Sequence, residues 1–336
     1  NEKVLINNQF IGNLKGLKLE LDFKVGDLET DIKSLKKAAR QNVSPEISKR
    51  INQIIEGKQI ELKEDRKIYW NNFPIAILAK GADYLSPELN LIIDDIVEND
   101  ERLKLHSFLK KWVDTKITDE LDSLFKLKNI NSVNSQIRAL SYQLYENNGV
   151  LKRDEVLNIV NSLSQDERKT LRNLGVKFGR YHIFLFKLFK PSVVSLRILL
   201  WKNFKGEDLN LFPPTFGLNF VNDLKYRNEK FMLLCGFEKF DSFFVRIDIL
   251  ERLFIEIINS NENKSDKIKL LPKMLNLLGC DKESFVKVIK LMGYKVFDEK
   301  NETFFKYKPF KKIKKSLDLK IKKDNPFEAL KQLDLK

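Results

Sequence analysis

The chain has 336 residues, of which 43% are hydrophobic and 32% are charged, and its formal net charge is +14. With only 13 glycines, 9 prolines and 2 cysteines, this composition excludes disordered, fibrous and disulfide-rich proteins and predicts two or three folded, helix-rich domains. The longest apolar runs, near residues 183–189 and 198–201, are broken by Lys or Arg far short of the roughly 20 residues of a membrane span. We therefore expect a soluble, cytoplasmic protein without a membrane partner.

The net positive charge has two explanations that composition alone leaves open. Lysines and arginines that neutralise phosphates gain affinity for nucleic acid by releasing counterions. However, Asn, Lys and Ile are abundant along the whole chain, as AT-rich coding would also produce, and many lysines would then be ordinary solvated surface. Two cysteines and two histidines, all far apart, exclude a structural zinc site or a disulfide framework and fit a reducing compartment.

Two similar segments near the start predict a pair of β-hairpins. Residues 4–12 and residues 68–76 each carry three apolar residues, an Asn-Asn pair and a second apolar stretch. Asn tolerates the positive φ of a tight hairpin turn. Each hairpin continues through a Lys-Gly step into another extended stretch, at residues 17–23 and 89–94.

A long charged helix is expected after each hairpin, at about residues 28–56, with a break near Pro45, and at 100–127. The repeated plan predicts two β-plus-helix modules, residues 1–66 and 67–128. Trp70 and Trp112, each among apolar neighbours, are expected to be core anchors rather than base-stacking platforms.

Residues 129–228 are predicted to form a helical domain. Residues 135–145 have helical apolar spacing and end at an Asn-Asn-Gly C-cap signal. Ser164 and Glu167 have the spacing of a capping box for a helix through Leu174.

The most distinctive part of this domain is a block with three parts: LGVKFGRYHIF at 174–184, LFKP at 188–191 and LRILLW at 196–201. The block resembles the C-terminal region of bacterial relatives of the mitochondrial degradosome helicase, a superfamily-two ATP-dependent RNA helicase. Further segments resemble that region in the same order: YWNNFPIAI at 69–77, VRIDILERL at 245–253, LMGY at 291–294 and NPFEAL at 325–330.

The resemblance implies that this chain follows a helicase motor without containing it. The sequence has no Gly-x-x-x-x-Gly-Lys-Ser/Thr loop to hold ATP phosphates, and it begins without Met or a signal peptide. We therefore expect ATP and magnesium to belong to motor domains upstream in the same parent chain. This chain is expected to have no catalytic site or cofactor of its own, and a nuclease is a further candidate partner.

The distinctive block predicts a nucleic-acid site because cations alternate with rings that can stack on unpaired bases. The alternative is that the rings form a core while the cations extend outward, and we expect this for Phe184, Phe186 and Trp201. His182 has no acidic or thiol neighbour in sequence, so a catalytic or metal role is not expected. The candidate contact residues in the block are Lys177, Arg180, Tyr181, His182, Lys187, Lys190 and Arg197.

Residues 229–308 are predicted to be winged-helix-like. An expected strand pair, 231–245, precedes three helices, 248–259, 267–278 and 282–292, and a final hairpin. In this order the third helix faces nucleic acid, although three-helix units also serve protein contacts. The candidates on that helix are Lys287 and Lys290, with Lys282 beside them and Lys295 and Lys306 on the hairpin.

Smaller expectations concern five residues of this domain. Asp248 is placed as a helix N-cap, and Glu251 and Arg252 are placed on the solvated side of the first turn. Cys235, like Cys280, is expected to be a small buried apolar side chain. Residues 309–336 form a lysine-dense tail, expected to act as a sequence-neutral electrostatic arm or to dock as a terminal amphipathic peptide on a partner.

The sequence therefore predicts an α+β, predominantly helical protein that binds single-stranded RNA or DNA as the accessory region of a helicase. The alternative is a protein–protein interaction scaffold with a basic surface. An enzyme with an unrecognised site is the weakest hypothesis, because no nucleophile–base pair, carboxylate dyad or metal cluster has usable spacing.

Overall fold

The computed structural model describes residues 2–6, 9–21, 29–57, 59–95, 97–130, 134–206, 211–222, 228–260, 267–299 and 302–308. The fold is mixed α+β, with about 51% helix and 27% strand. The chain forms several small sheets, so its strand content is higher than the predicted predominantly helical fold implies. The first Asn-Asn pair and the lysine-dense tail lie outside the described residues.

Strands and helices alternate along the chain. The strands are β1 Glu2–Ile6, β2 Gln9–Lys15, β3 Lys18–Leu21, β4 Ile60–Leu62, β5 Lys67–Trp70, β6 Phe73–Asp83, β7 Ser86–Leu91, β8 Val150–Lys152, β9 Val176–Phe178, β10 His182–Leu185, β11 Phe220–Asn222, β12 Phe237–Phe240, β13 Phe243–Arg246, β14 Ile268–Lys269, β15 Tyr294–Glu299 and β16 Glu302–Tyr307. The helices are α1 Glu29–Ile55, α2 Asn99–Glu120, α3 Asp122–Lys128, α4 Ser135–Glu146, α5 Leu157–Ser162, α6 Gln165–Asn173, α7 Pro191–Lys205, α8 Glu229–Leu234, α9 Ile247–Asn259, α10 Pro272–Leu278 and α11 Lys282–Leu291.

The two front hairpins are present. The β1–β2 hairpin extends into the sheet β1-β2-β3, and β5–β6 lies within the sheet β4-β5-β6-β7. Asn71 and Asn72 have φ of 46° and 67°, which confirms the left-handed turn predicted for the second hairpin. Trp70 is buried, as expected, whereas Trp112 is only half-buried. The duplication and the five-domain division remain predictions.

Three boundaries in this part differ from the prediction. Helix α1 continues through Pro45 without a break, because buried residues on both sides of the proline, Val43 and Ile47, hold it against one core. The second long helix divides at the buried Leu121, whose φ of −104° and ψ of 21° are not helical. The strand expected at 89–94 is Ser86–Leu91.

The rest of the chain repeats one topology three times. Each repeat begins with a helix and a short strand, continues with one or two helices, and ends with a strand hairpin. We name them the first unit (α4 to β10), the second unit (α7 to β13) and the third unit (α9 to β16). In each unit the short strand pairs with the last strand, which gives the sheet orders β8-β10-β9, β11-β13-β12 and β14-β16-β15.

The same local geometry joins the last helix to the hairpin in all three units. The helix ends at a C-cap residue in the right-handed region, and a glycine with φ of 97°, 90° or 91° follows it. A non-glycine residue rarely adopts this φ. These glycines are Gly175, Gly236 and Gly293.

The helix signals of the middle domain are confirmed, but its strands were missed. Ser164 and Glu167 form the predicted capping box, and Asn148 and Gly149 have positive φ after α4. Segment 229–234 is helix α8 rather than a strand, because the Asn228 side chain accepts from the amide of Phe231 and starts a helix. The missed strands β8 to β11 have only three or four residues each, too few to show an alternating pattern.

One core connects the front of the chain with the first unit and with the first helix of the second unit. A continuous cluster of buried apolar residues runs from Leu14 to Leu200, so the sheets β1-β2-β3 and β4-β5-β6-β7 share it with α4 and α7. The third unit has its own core around Phe285 and Phe305. The first unit contacts the third through apolar packing, including Tyr181 against that core, and through polar groups, and these contacts surround the candidate site.

Candidate nucleic-acid interface

A cleft of about 600 Å³ lies between the β9–β10 hairpin of the first unit and helix α9 of the third unit. Its walls carry five basic side chains, four phenylalanines and two carboxylates. The basic residues are Arg153, Arg172, Lys177, Arg180 and Arg252. The aromatic residues are Phe178, Phe184, Phe186 and Phe254.

Both carboxylates of the cleft are already engaged by the protein. Asp248 accepts two hydrogen bonds from Arg246, at 3.0 and 2.7 Å. This pairing corrects the prediction for Asp248, which is buried in the first turn of α9 while Arg246 occupies the N-cap position. Glu251 accepts backbone amides, as described below. The cleft therefore presents excess positive charge to a ligand.

Three cleft cations have no ion-pair partner in the part of the chain that the structure describes. No carboxylate there lies within 4.0 Å of Arg172, Lys177 or Arg252, and all three are exposed. Unpaired cations in a concave site are the arrangement that attracts phosphate.

Aromatic rings lie between these cations. The guanidinium of Arg172 lies 5.7 Å from the Phe178 ring centre, and that of Arg180 lies 5.9 Å from the rings of both Phe254 and Tyr307. Phe186 is 49% exposed, which corrects the expectation that it is a core residue. Phe184, by contrast, is buried as expected and Trp201 is half-buried. An exposed ring beside guanidinium groups can accept a nucleic-acid base.

Glu251 fixes the tip of the β9–β10 hairpin against α9. Its carboxylate accepts the backbone amides of Arg180, Tyr181 and His182 at 2.5, 2.8 and 2.7 Å. Gly179 makes this approach feasible, because a Cβ there would lie 2.3 Å from the Glu251 carboxyl carbon. Glu251 is buried rather than solvated, contrary to the prediction. The segments 174–184 and 245–253, which are about 70 residues apart in sequence, therefore meet at this contact.

His182 connects all three units. Its ring is buried, with Nε2 3.4 Å from Glu238 of the second unit and Nδ1 3.4 Å from Glu251 of the third. Lys152 of the first unit lies 2.7 Å from Glu238. Burial lowers the pKa of His182, but the hydrogen bond to Glu238 and the negative charge of nearby Glu251 outweigh this effect, and the net shift is upward. Burial alone would raise the pKa of Glu238. Hydrogen bonds from His182 and Lys152, together with their positive charges, outweigh this effect, so the net shift of the Glu238 pKa is downward.

Protonation of His182 should therefore stabilise the junction. A raised folded pKa contributes stability that is complete below the unfolded pKa, about 6.5, and is lost as pH rises through the folded pKa. We expect the free energy of unfolding to fall as the pH rises above about 6.5 and through the raised pKa of His182, and this fall to diminish in His182→Gln. Chemical denaturation at a series of pH values measures it. His106→Gln is the matched control, since no carboxylate among the described residues lies within ion-pair distance of His106.

The structure brings together only part of the predicted site. Lys177 and Arg180 line the cleft, and Tyr181 lies behind it with its ring 5.8 Å from Phe254. His182 and Arg197 are corrected from contact candidates to buried structural residues. Arg197 is fully buried and donates to the carbonyl oxygens of Leu188 and Asn148 at 3.4 and 2.8 Å, out of reach of an external phosphate.

The other four predicted residues are exposed but do not line the cleft. Lys187 and Lys190 lie on the segment between β10 and α7, beside Phe186. Lys287 and Lys290 lie on α11, the third helix of the third unit. No carboxylate of the described residues lies within 4.0 Å of any of these four lysines.

Arg153, Arg172, Arg252 and Phe254 were missed as cleft residues. Arg252 and Phe254 come from a segment some 70 residues away from the β9–β10 hairpin. Their juxtaposition follows from the packing of the third unit on the first and has no local sequence signal. Only Arg172, six residues before Phe178, lay close enough to the distinctive block to be considered.

Comparisons with known proteins add no family to this geometry. No family model matches the chain, and no curated protein or solved structure gave a significant match. Among the described residues, no cluster of three or more His, Cys, Asp or Glu side chains could hold a metal ion. No described helix combines the length and apolar character needed to cross a bilayer.

Proposed function

We propose that this chain binds single-stranded RNA or DNA in the cleft between the first and third units. The observation that carries the proposal is the combination of unpaired Arg172, Lys177 and Arg252 with the exposed ring of Phe186. Cations follow the phosphate backbone, and rings stack on bases that are not paired. A cleft of about 600 Å³ admits nucleotides but is too small for a duplex.

The topology of the three units supports this function. A helix, a short strand, further helices and a strand hairpin, with the short strand paired to the last, is the winged-helix arrangement, and we propose that all three units are winged-helix-like. In that fold the third helix and the hairpin face nucleic acid. In the first unit, Arg172 of α6 and Lys177 of the hairpin line the cleft, in agreement with that orientation. Lys287 and Lys290 occupy the matching helix of the third unit.

We further propose, from the sequence resemblance alone, that the parent protein is a cytoplasmic ATP-dependent helicase whose motor delivers a single strand to this region. ATP and magnesium would act in the motor. The chemistry of the cleft is binding and guidance, since neither carboxylate in it is free to act as a base. The rival hypothesis, a protein-binding scaffold, needs no affinity for nucleic acid.

A comparison of strandedness tests the proposal. The chain should bind a fluorescent single strand more tightly than a duplex of equal length. Phe186→Ala should weaken single-strand binding about fivefold or more, because one base–aromatic stack contributes about 1–3 kcal/mol, and should leave duplex binding unchanged. Tyr142→Ala is the matched control, since Tyr142 is also an exposed aromatic residue, on α4, but lies outside the cleft. Equal binding of single strand and duplex would contradict a single-strand site, and no binding of either would favour the scaffold.

A further inference from the structure

A second, smaller cavity lies next to the cleft. It has a volume of about 90 Å³ and lies under the loop 211–218, between that loop and the start of α7. Two structural links connect it with the cleft. The 3₁₀ turn Phe186–Phe189 has Phe186 in the cleft wall and Phe189 in the wall of the small cavity. The ion pair Arg246–Asp248 likewise has one partner in each wall.

The length of the turn that links the two cavities suits a continuous strand. A four-residue 3₁₀ turn rises about 8 Å, which corresponds to roughly two or three stacked nucleotides at about 3.4 Å each. Lys187 and Lys190 lie on this connecting segment, exposed and without a carboxylate within 4.0 Å in the described part of the chain. Phosphates leaving the cleft would meet these two lysines next.

The loop beyond the lysines exposes rings rather than burying them. Phe212 is 71% exposed and Phe216 is 52% exposed, although a phenylalanine gains stability from burial. The ammonium group of Lys202 lies 5.5 Å from the centre of the Phe212 ring, and Lys205 is exposed one turn later on α7. Exposed rings next to lysines repeat the chemistry of the cleft wall, and this complementarity favours a polyanion with stacking faces as the occupant.

We propose that the single strand bound in the cleft continues over Lys187 and Lys190 and stacks on Phe212 and Phe216. The binding site is then one track that is longer than the cleft. The inference rests on the proposed function, since it takes the cleft as the first part of the track. It assigns the loop 211–218 a role in binding that the cleft alone does not require.

Affinity for oligouridylates of increasing length tests the track. Wild type should bind a strand of about 16 nucleotides much more tightly than one of about 4 nucleotides. Phe212→Ala/Phe216→Ala should bind the short strand like wild type but the long strand at least fivefold more weakly. Lys187→Gln/Lys190→Gln should lower the salt dependence for the long strand only. These side chains are exposed, so thermal unfolding should confirm intact folding, and Tyr142→Ala serves as the control.

Each outcome separates the track from the cleft. If the Phe212→Ala/Phe216→Ala variant binds every length like wild type, the strand does not reach the loop, and the track is wrong while the cleft stands. Equal weakening at all lengths would also overturn the track, because the loop would then act on the cleft itself. Failure of wild type to bind any length would overturn both.

Discussion

Glu251→Gln is expected to lower the free energy of unfolding by about 2 kcal/mol, since a buried donor without an acceptor costs about 1–3 kcal/mol. One glutamine oxygen can still accept from Tyr181 and His182, whose amides share Oε1. The amide nitrogen of the glutamine would then replace Oε2 and face the backbone N–H of Arg180. Both groups are hydrogen-bond donors, so the Arg180 amide would lose its acceptor. The substitution also removes a charge beside His182. Urea denaturation measures the change.

Glu256→Gln is the matched control for this prediction. Glu256 lies on the same helix, in a surface ion pair with Lys273, and exposed pairs contribute little. Its replacement should leave the midpoint of denaturation nearly unchanged. If Glu251→Gln is as stable as Glu256→Gln, the carboxylate does not hold the hairpin tip in place, and the cleft lacks the fixed wall described above.

Charge reversal in the cleft should weaken single-strand binding by on the order of 100-fold. Each phosphate contact to a single strand contributes a slope of about −0.7 in log affinity against log salt, or roughly fivefold at 0.1 M salt. Lys177→Glu/Arg252→Glu removes two such cations and adds repulsion at exposed positions. The salt slope should fall by about 1.4, and a fluorescence titration at several salt concentrations measures both quantities.

The control variant must change the net charge by the same amount as Lys177→Glu/Arg252→Glu without altering a residue of the cleft. Lys104→Glu/Lys111→Glu meets this condition, because both lysines are exposed on α2 and line no part of the cleft. A small loss in the control and a large loss in the cleft variant would localise binding. Equal losses would show that the +14 charge attracts nucleic acid without a defined site, as the compositional explanation holds.

Local signals were sufficient for the elements that depend on neighbours in sequence. The Asn71-Asn72 turn and the capping box of Ser164 and Glu167 were predictable, because each is formed within a few residues. The continuation of α1 through Pro45 was not predictable, because the core that holds both halves comes from distant strands. Burial can outweigh a local preference of this kind.

Only one wall of the cleft, the segment that contains Lys177 and Arg180, was predictable from the sequence. Lys177 and Arg180 alternate with aromatic residues, and this pattern predicted both as nucleic-acid contacts, although within a domain that was expected to be helical. Glu251 was expected to be solvated, because the charge pattern of α9 contains no information about amides some 70 residues away. The same distance explains why His182 was expected to lack acidic neighbours while the fold places two carboxylates beside it.

Amide hydrogen exchange with and without a single-stranded oligonucleotide tests the central claim most directly, because it reports where the strand contacts the chain without any substitution. We expect increased protection in residues 176–186 and 247–255, the two walls of the cleft, and unchanged exchange in α2. Unchanged exchange in both walls at a saturating strand concentration, or protection confined to other parts of the chain, would contradict it.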